Sequence, residues 1–401
     1  GISGLSAAYY LSKKHHVDLF EKEDHFGGHS YTIDIIADDK KIPVDVGFIV
    51  FNYQTYPNLS NFFKEIDVEV EKSDMSFSVS VENSNYEYCG RGLAGMFANK
   101  SNLLNIKFLK MFFDIIKFYK LCDKILDLDQ KITLNEFLNK NKWSKSFTNY
   151  HIIPMVSAIW SMPPHEAGKM PMSFFLKFFQ NHGLFKLKKR PQWYTVAKRS
   201  RTYVNKVLLH ISGEYYKNYE VKSIKRISSG AQVYYGGNNE FFNYDKVILA
   251  THADKALSLI DNPTEQERDI LSNFGYKENY AILHFDENIM PKNKKVWSAW
   301  NSFVDPNDLN KSSLSYWLNL LQNLKIKKNI FLTLNPYKKI SEDKILKKIK
   351  FTHPYYDQKA LDNQKNLKNI QNKENLLFCG SYFGYGFHED GIKSSIEMLK
   401  N

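Results

Sequence analysis

A short helix of small residues, followed at a fixed distance by a strand ending in an acid, constrains this chain more than any other feature. Gly1-Ile2-Ser3-Gly4-Leu5-Ser6-Ala7-Ala8-Tyr9-Tyr10-Leu11 is expected to be a helix with small residues along one face. His16-Val17-Asp18-Leu19-Phe20-Glu21 is expected to be a strand. Glu21 stands 20 residues after Gly1, and about 20 is the separation at which an acid meets a ribose hydroxyl in dinucleotide folds. There one glycine lets the backbone approach a pyrophosphate and another lets helix and strand pack closely. Gly1 and Gly4 suit those roles, with Ser3 between them, and the helix N-terminus adds free N–H groups and a positive dipole end. The first glycine of the usual trio falls two residues before Gly1. About eight further residues, a short strand and a turn, are therefore expected upstream.

Just past the acid comes Lys22-Glu23-Asp24-His25-Phe26-Gly27-Gly28-His29-Ser30-Tyr31-Thr32. A Gly-Gly pair here reads as a second phosphate-side turn, where only glycine tolerates the backbone angles and the close approach. The stretch Glu21 to Thr32 resembles that of the flavin-containing amine oxidase superfamily, which includes monoamine oxidases, phytoene desaturases and protoporphyrinogen oxidases. Those proteins usually carry Arg after the glycine pair, where this chain has His29. It is most similar to a bacterial branch of NAD/FAD-binding proteins with His at this place, related to the N-terminal part of plant cyclopropane fatty acid synthases.

The resemblance implies FAD as cofactor, with Lys22, Gly27, Gly28, His29 and Ser30 on the phosphate side. It implies that Val44-Asp45-Val46-Gly47-Phe48-Ile49-Val50-Phe51 brings Gly47 and the run from Phe48 to Asn52 to the flavin ring, with a buried strand pair as the alternative reading. It implies a return to the cofactor by the strand Tyr219-Glu220-Val221-Lys222-Ser223-Ile224, with Val221 at the adenine. A hairpin follows through Ala231-Gln232-Val233-Tyr234-Tyr235, the turn Gly236-Gly237-Asn238, and Phe241-Phe242. The run Val247 to Asp254 then brings Ala250 and Thr251 over the flavin. A final strand, Asn375 to Cys379, delivers Gly380 and Ser381, where the family pattern has Asp in place of Ser381. The loop and helix from Gly386 through Gly391 and Ile392 point a helix N-terminus at the flavin pyrimidine. NAD is an alternative occupant, but the Gly27-Gly28 turn and the segment from Gly380 to Ile392 favour FAD.

The architecture implied is α/β: a Rossmann-like FAD-binding domain with a discontinuous mixed-sheet substrate domain and a helical insertion. FAD-binding parts are expected at 1–75, 201–262 and 366–401, with the substrate and helical domain at 76–200 and the substrate sheet at 263–365. Strands are expected at Tyr280 to Phe285, Trp297 to Asn301 and Ser315 to Trp317. With 401 residues, 43% hydrophobic and including 29 Phe and 25 Tyr, the chain can build a large core. Its three cysteines are far apart and form neither a disulfide framework nor a metal cluster. No metal is expected. The net charge of +12 comes without any nucleic-acid-binding motif, so nucleic acid is not an expected partner. An anionic membrane surface or an anionic substrate suits the charge better. No run of 18 uncharged apolar residues occurs. The expected location is cytoplasmic, with a peripheral contact at the inner membrane face.

Two middle segments bear on that contact. From Ser101 to Leu121, charges recur every three or four residues, a narrow stripe on a wide apolar helix. Such a helix is either core or interfacial. Phe174-Phe175-Leu176-Lys177-Phe178-Phe179 precedes the basic run Lys186-Leu187-Lys188-Lys189-Arg190, a pair that fits exposed Phe on an anionic surface or a core helix with a solvated loop. Trp160 and Trp193 wall a substrate tunnel or belong to the core. Tyr382, Tyr385 and His388 are candidate catalytic residues, although a His in such a loop is more often a structural hydrogen-bonder than an acid or base. The expected reaction is hydride transfer from a substrate C–H to flavin N5, on a lipid or fatty acyl substrate. Non-redox double-bond isomerisation and amine oxidation are the alternatives.

Overall fold

The computed structural model describes residues 1–125, 132–186, 190–236 and 240–400. The first helix, Ile2–Leu11, starts from Gly1 with no side-chain cap and no acid in its first turn. Two short parallel ribbons lie against it. Leu19–Glu21 pairs with Tyr215–Lys217, Leu19 opposite Tyr215. Val247–Leu249 pairs with Leu376–Phe378, Val247 opposite Leu376. Leu5 and Tyr9 pack with Phe62 and Tyr203 on one side of the helix, and Ala7 packs with Leu377 and Met398 on the other. The C-terminal helix, His388–Met398, crosses the first helix where the Ser6 and Ser395 hydroxyls meet at 2.6 Å. Small residues at both positions allow that close approach.

Sequence-distant strands share one sheet. Its seven strands run in the order Ile345–Tyr355, Gly275–His284, Phe331–Leu334, Ser312–Trp317, Trp300–Val304, Phe77–Val81 and Glu87–Cys89. All neighbours are antiparallel except Trp300–Val304 with Phe77–Val81, which is parallel and makes the sheet mixed. A separate antiparallel sheet joins Val221–Ile227, Gly230–Tyr235 and Glu240–Tyr244; Gly237 and Asn238 of the expected turn lie outside the described residues.

Several expectations are corrected. The strand expected over 44–51 covers Lys40–Asp45 instead. It ends there because Asp45 turns inward, accepting from Thr32 Oγ1 at 2.5 Å and Ser200 Oγ at 2.7 Å. The strand expected from Tyr219 begins at Val221, and that expected at Trp297 begins at Trp300. The helix expected from Ser101 splits at Asn105. A 3-10 turn covers Lys100–Leu104, and Asn105 then caps an α-helix over Ile106–Cys122 by accepting from the Phe108 N–H at 3.2 Å. Of the two readings of Phe174, Phe175, Phe178 and Phe179, the core one holds, since all four are buried. They lie on the helix Met172–Asn181 at one-face spacing and pack with Phe118, Phe185 and Trp160. Residues 187–189 of the basic run lie outside the described residues.

Candidate cofactor and substrate site

The first helix, the glycine pair and the final loop converge on one cavity. Gly27 and Gly28 take φ of +115° and +56°, a backbone that side chains beyond glycine strain to adopt. The turn seats Gly28 over Gly1, where an added Cβ would come 3.1 Å from the Gly1 Cα. The turn then runs into His29, whose carbonyl accepts the Phe48 N–H at 2.6 Å. Gly47 makes this contact possible, since a Cβ there would collide with the same oxygen. Glu21 ends the first strand within electrostatic reach of the Gly1 nitrogen and lines the cavity with Gly1, Ser3, Gly4 and Lys22.

Deeper in, rings replace glycines. Phe48 stacks on His388 with centroids 3.8 Å apart, and His388 Nε2 lies 3.0 Å from Ser30 Oγ. His29 stacks on Phe351 at 5.2 Å and meets His353 at 5.0 Å. Asn279 Nδ2 donates to His353 Nδ1 at 2.9 Å, which leaves the proton of neutral His353 on Nε2. His252 stacks on Tyr276 at 4.2 Å. Burial lowers the imidazole pKa of His29 and of His252 to about 4 and of His353 to about 3, and it takes His388 well below its usual value. All four are neutral at physiological pH. Burial also pushes the Asp390 carboxyl up to about 6, although it accepts the Phe387 N–H at 2.9 Å.

The cavity measures about 1730 Å³, beyond the roughly 300–1,000 Å³ of an ordinary small-molecule site. It includes an apolar arm lined by Met96, Phe112, Ile115, Ile116, Tyr119 and Met155. Trp160 and Trp193 both line it. Trp160 is fixed there by Nε1 donating to the Tyr385 carbonyl at 3.3 Å.

Of the residues expected at the cofactor, Gly1, Ser3, Gly4, Glu21, Lys22, Gly27, Gly28, His29, Gly47, Phe48, Val221, Ala250, Thr251, Gly380 and Ser381 all line this one cavity, as do Tyr382, Tyr385 and His388. Ser30, Gly391 and Ile392 lie behind its wall instead. The Ser30 hydroxyl bonds Tyr203 and His388. Gly391 packs on Ser3 and donates its N–H to the Phe387 carbonyl within its own helix, and Ile392 joins the core around Ile2 and Tyr203. Phe51 and Asn52, expected beside the flavin, are buried away from the cavity. The sequence reading missed Phe351 and His353. Their alternation on the strand Ile345–Tyr355 marks a shared face, but only the pairing of Phe351 with Asn279 shows what that face meets.

A dinucleotide fits this site on two independent observations. The glycine cradle leaves uncapped helix N–H groups open to an anion beside an acid placed for a ribose. The His29 Nε2 is buried with no hydrogen-bond partner, a cost that a bound polar group removes. Among the described residues no cluster of His, Cys, Asp and Glu could hold a metal ion, and no helix is long and apolar enough to cross a membrane.

Residues 1–66 match the family model of an NAD(P)-binding Rossmann-like domain. No curated protein matches the chain by sequence. Solved structures match over its full length. A fatty acid isomerase from P. acnes that produces CLA has a TM-score of 0.67 at 14% identity, covering 100% of this chain and 96% of that one. A protoporphyrinogen oxidase-like protein from Exiguobacterium sp. 255-15 gives 0.69 at 14%, covering 100% and 96%. Cyclohexylamine oxidase from Brevibacterium oxydans IH-35A gives 0.66 at 12%, covering 100% and 97%. The chain therefore has the fold of amine oxidase-type structures: a Rossmann-like nucleotide-binding part joined to a large mixed sheet.

Proposed function

We propose that this protein is an FAD-dependent oxidoreductase that removes a hydride from a C–H bond of a lipid or fatty acyl substrate. The continuity of one cavity carries this reading. The glycine cradle and Glu21, the neutral histidines and a set of apolar side chains all line it. Gly1, Ser3, Gly4, Glu21, Gly27 and Gly28 would hold the ADP half, and His29, Gly47, Phe48, Ala250, Thr251, Gly380 and Ser381 the flavin half. When bound, the flavin supplies the hydride acceptor at N5.

The chain's own residues do the rest. Phe112, Ile115, Ile116 and Met155 desolvate an acyl chain and exclude water from the reacting carbon. Trp160, tied to the 381–387 loop through the Tyr385 carbonyl, fixes the spacing between that arm and the ring site. Desaturation also releases a proton from the carbon next to the one that gives up hydride, and His29, His252, His353 and His388 are neutral, so none carries a positive charge that would repel it. Tyr382 holds its proton, since burial raises its pKa well above the usual phenol value.

The likeness to a CLA-producing fatty acid isomerase favours a second reading, double-bond isomerisation in the same cavity with no net oxidation. One experiment separates the readings: anaerobic incubation of the purified yellow protein with unsaturated fatty acids. Bleaching with product two mass units lighter supports the oxidoreductase. A shifted double bond at unchanged mass supports the isomerase. A protein that is colourless and takes up no FAD overturns both.

A further inference from the structure

Among the described residues, six of the fourteen exposed large apolar side chains fall in one stretch of chain: Leu93, Leu103, Leu104, Ile106, Phe113 and Leu121. Leu104 and Ile106 are 90% and 81% exposed. Local structure holds them there. The buried Asn102 side chain donates to the Glu87 carbonyl at 3.0 Å and the Met96 carbonyl at 3.4 Å. That clamps the underside of the 3-10 turn to the short helix Gly92–Met96 and leaves the next two residues facing out. Phe97 then packs on Phe108 and Phe112 at 5.7 and 5.5 Å, joining the short helix to the 106–122 helix. The result is one platform carrying an apolar patch, where a soluble monomer ordinarily scatters its exposed apolar side chains singly.

Cations are interleaved with the patch. Lys100, Lys107, Lys110 and Lys120 are exposed, and among the described residues none pairs with a carboxylate. Along the exposed stripe of the 106–122 helix, Ile106, Lys107, Lys110, Phe113, Lys117 and Leu121 recur at helical spacing. Apolar tips set among lysines match a lipid interface with anionic headgroups. They do not match a second copy of this chain, because that would bring lysines onto lysines. The platform also borders the cavity. Leu93 is both 66% exposed and part of the cavity lining, and Met96, Phe112 and Ile116 continue that lining inward.

We propose that the platform formed by residues 92–122 docks on an anionic lipid bilayer and sets the mouth of the apolar arm, at Leu93, against the acyl layer. Docking stands on the surface alone; passage of lipid through the mouth rests on the function proposed above. The short helix and the 3-10 turn enter the interface, with the lysines at headgroup level. An acyl chain then enters at Leu93 and meets Met96, Phe112 and Ile116 without crossing water.

The test is co-sedimentation of the purified protein with phosphatidylcholine vesicles, with and without phosphatidylglycerol. Binding is expected on the anionic vesicles and is expected to weaken with added salt. The doubly substituted Leu104→Glu/Ile106→Glu protein, altered only at exposed positions, is expected to bind at least about tenfold less. Lys107→Glu/Lys110→Glu is expected to fall by a similar factor on anionic vesicles only. The same samples report bound FAD by absorbance. A yellow protein that ignores vesicles overturns the docking surface, whereas vesicle binding by a colourless protein overturns the flavin reading and leaves the surface standing. Leu104→Glu/Ile106→Glu binding like the native chain, or that substitution dissolving a native dimer, would also overturn it.

Discussion

The His29 carbonyl accepts the Phe48 N–H at 2.6 Å, and this one bond ties the glycine turn at the first helix to the 46–50 segment of the cavity wall. It exists because residue 47 has no side chain. A Cβ at Gly47 meets the His29 carbonyl oxygen, its carbon and its Cα together, and backbone atoms cannot swing aside as a flexible side chain does. Gly47→Ala is expected to cost about 2 kcal/mol or more of stability and to lower FAD content with it. Thermal unfolding and flavin absorbance on the same sample check both. A variant as stable and as yellow as the parent would show that the turn is free to move.

That pairing also shows where the sequence is readable and where it is not. Gly1, Gly4, Glu21, Gly27 and Gly28 lie within one βαβ-like stretch, so local periodicity and spacing are enough to bring them together. His29 was visible as a departure from the Arg of the resembling family, but its neighbours Phe351 and His353 were not. They arrive from over 300 residues away, through a strand register that side-chain alternation does not determine. The Tyr215–Lys217 strand is silent in the sequence for another reason: it is three residues long and largely exposed, so its backbone pairing leaves no hydrophobic pattern. Phe174, Phe175, Phe178 and Phe179 fit two readings until their spacing is weighed. Positions i, i+1, i+4 and i+5 mark one helix face, and a single shared face points to burial.

Glu389 couples two helices that the sequence leaves unrelated. Its carboxylate accepts the N–H groups of Asn58 and Leu59, both at 3.0 Å, and the Asn58 amide at 2.6 Å. Those N–H groups open the helix Pro57–Glu65, which has no side-chain cap of its own, so the charge sits at the positive end of a helix dipole. Glu389→Ala is expected to cost about 1–2 kcal/mol. Glu389→Gln, which keeps an acceptor and loses the charge, is expected to fall between. Urea unfolding of the three proteins tests this, and equal midpoints would remove Glu389 from any capping role.

The neutral histidines make acid a specific hazard. Burial lowers His29 and His252 from 6.5 to about 4 and His353 from 6.5 to about 3. As pH falls below 6.5, the unfolded chain takes up protons that the folded chain refuses. Each such histidine therefore contributes stability that is complete above pH 6.5 and is lost as pH falls toward its folded value. At pH 5 the loss is on the order of 1–2 kcal/mol per histidine. Urea midpoints at pH 7.5 and pH 5 are expected to differ accordingly, and His353→Asn is expected to shrink the difference by about one such share. An unchanged difference in His353→Asn would mean that His353 is protonated in the folded protein.

Glu21 offers the cleanest separation of binding from folding. Among the described residues its side chain makes one hydrogen bond, accepting from the Glu23 N–H at 3.2 Å at an exposed position, so its removal is expected to leave the fold intact. Glu21 nevertheless lines the cavity together with Gly1 and Ser3. If it holds a ribose hydroxyl, the bond is charge-assisted and worth about 1.5–3 kcal/mol. Glu21→Ala is then expected to weaken FAD about 10- to 100-fold in a fluorescence titration while its melting curve without cofactor overlays that of the parent. Because the deficit belongs to the sugar contact, the variant saturated with FAD is expected to recover the parental spectrum. An unchanged affinity would mean that the nucleotide, if bound, lies in a different orientation from the one the Gly1 cradle and Glu21 define.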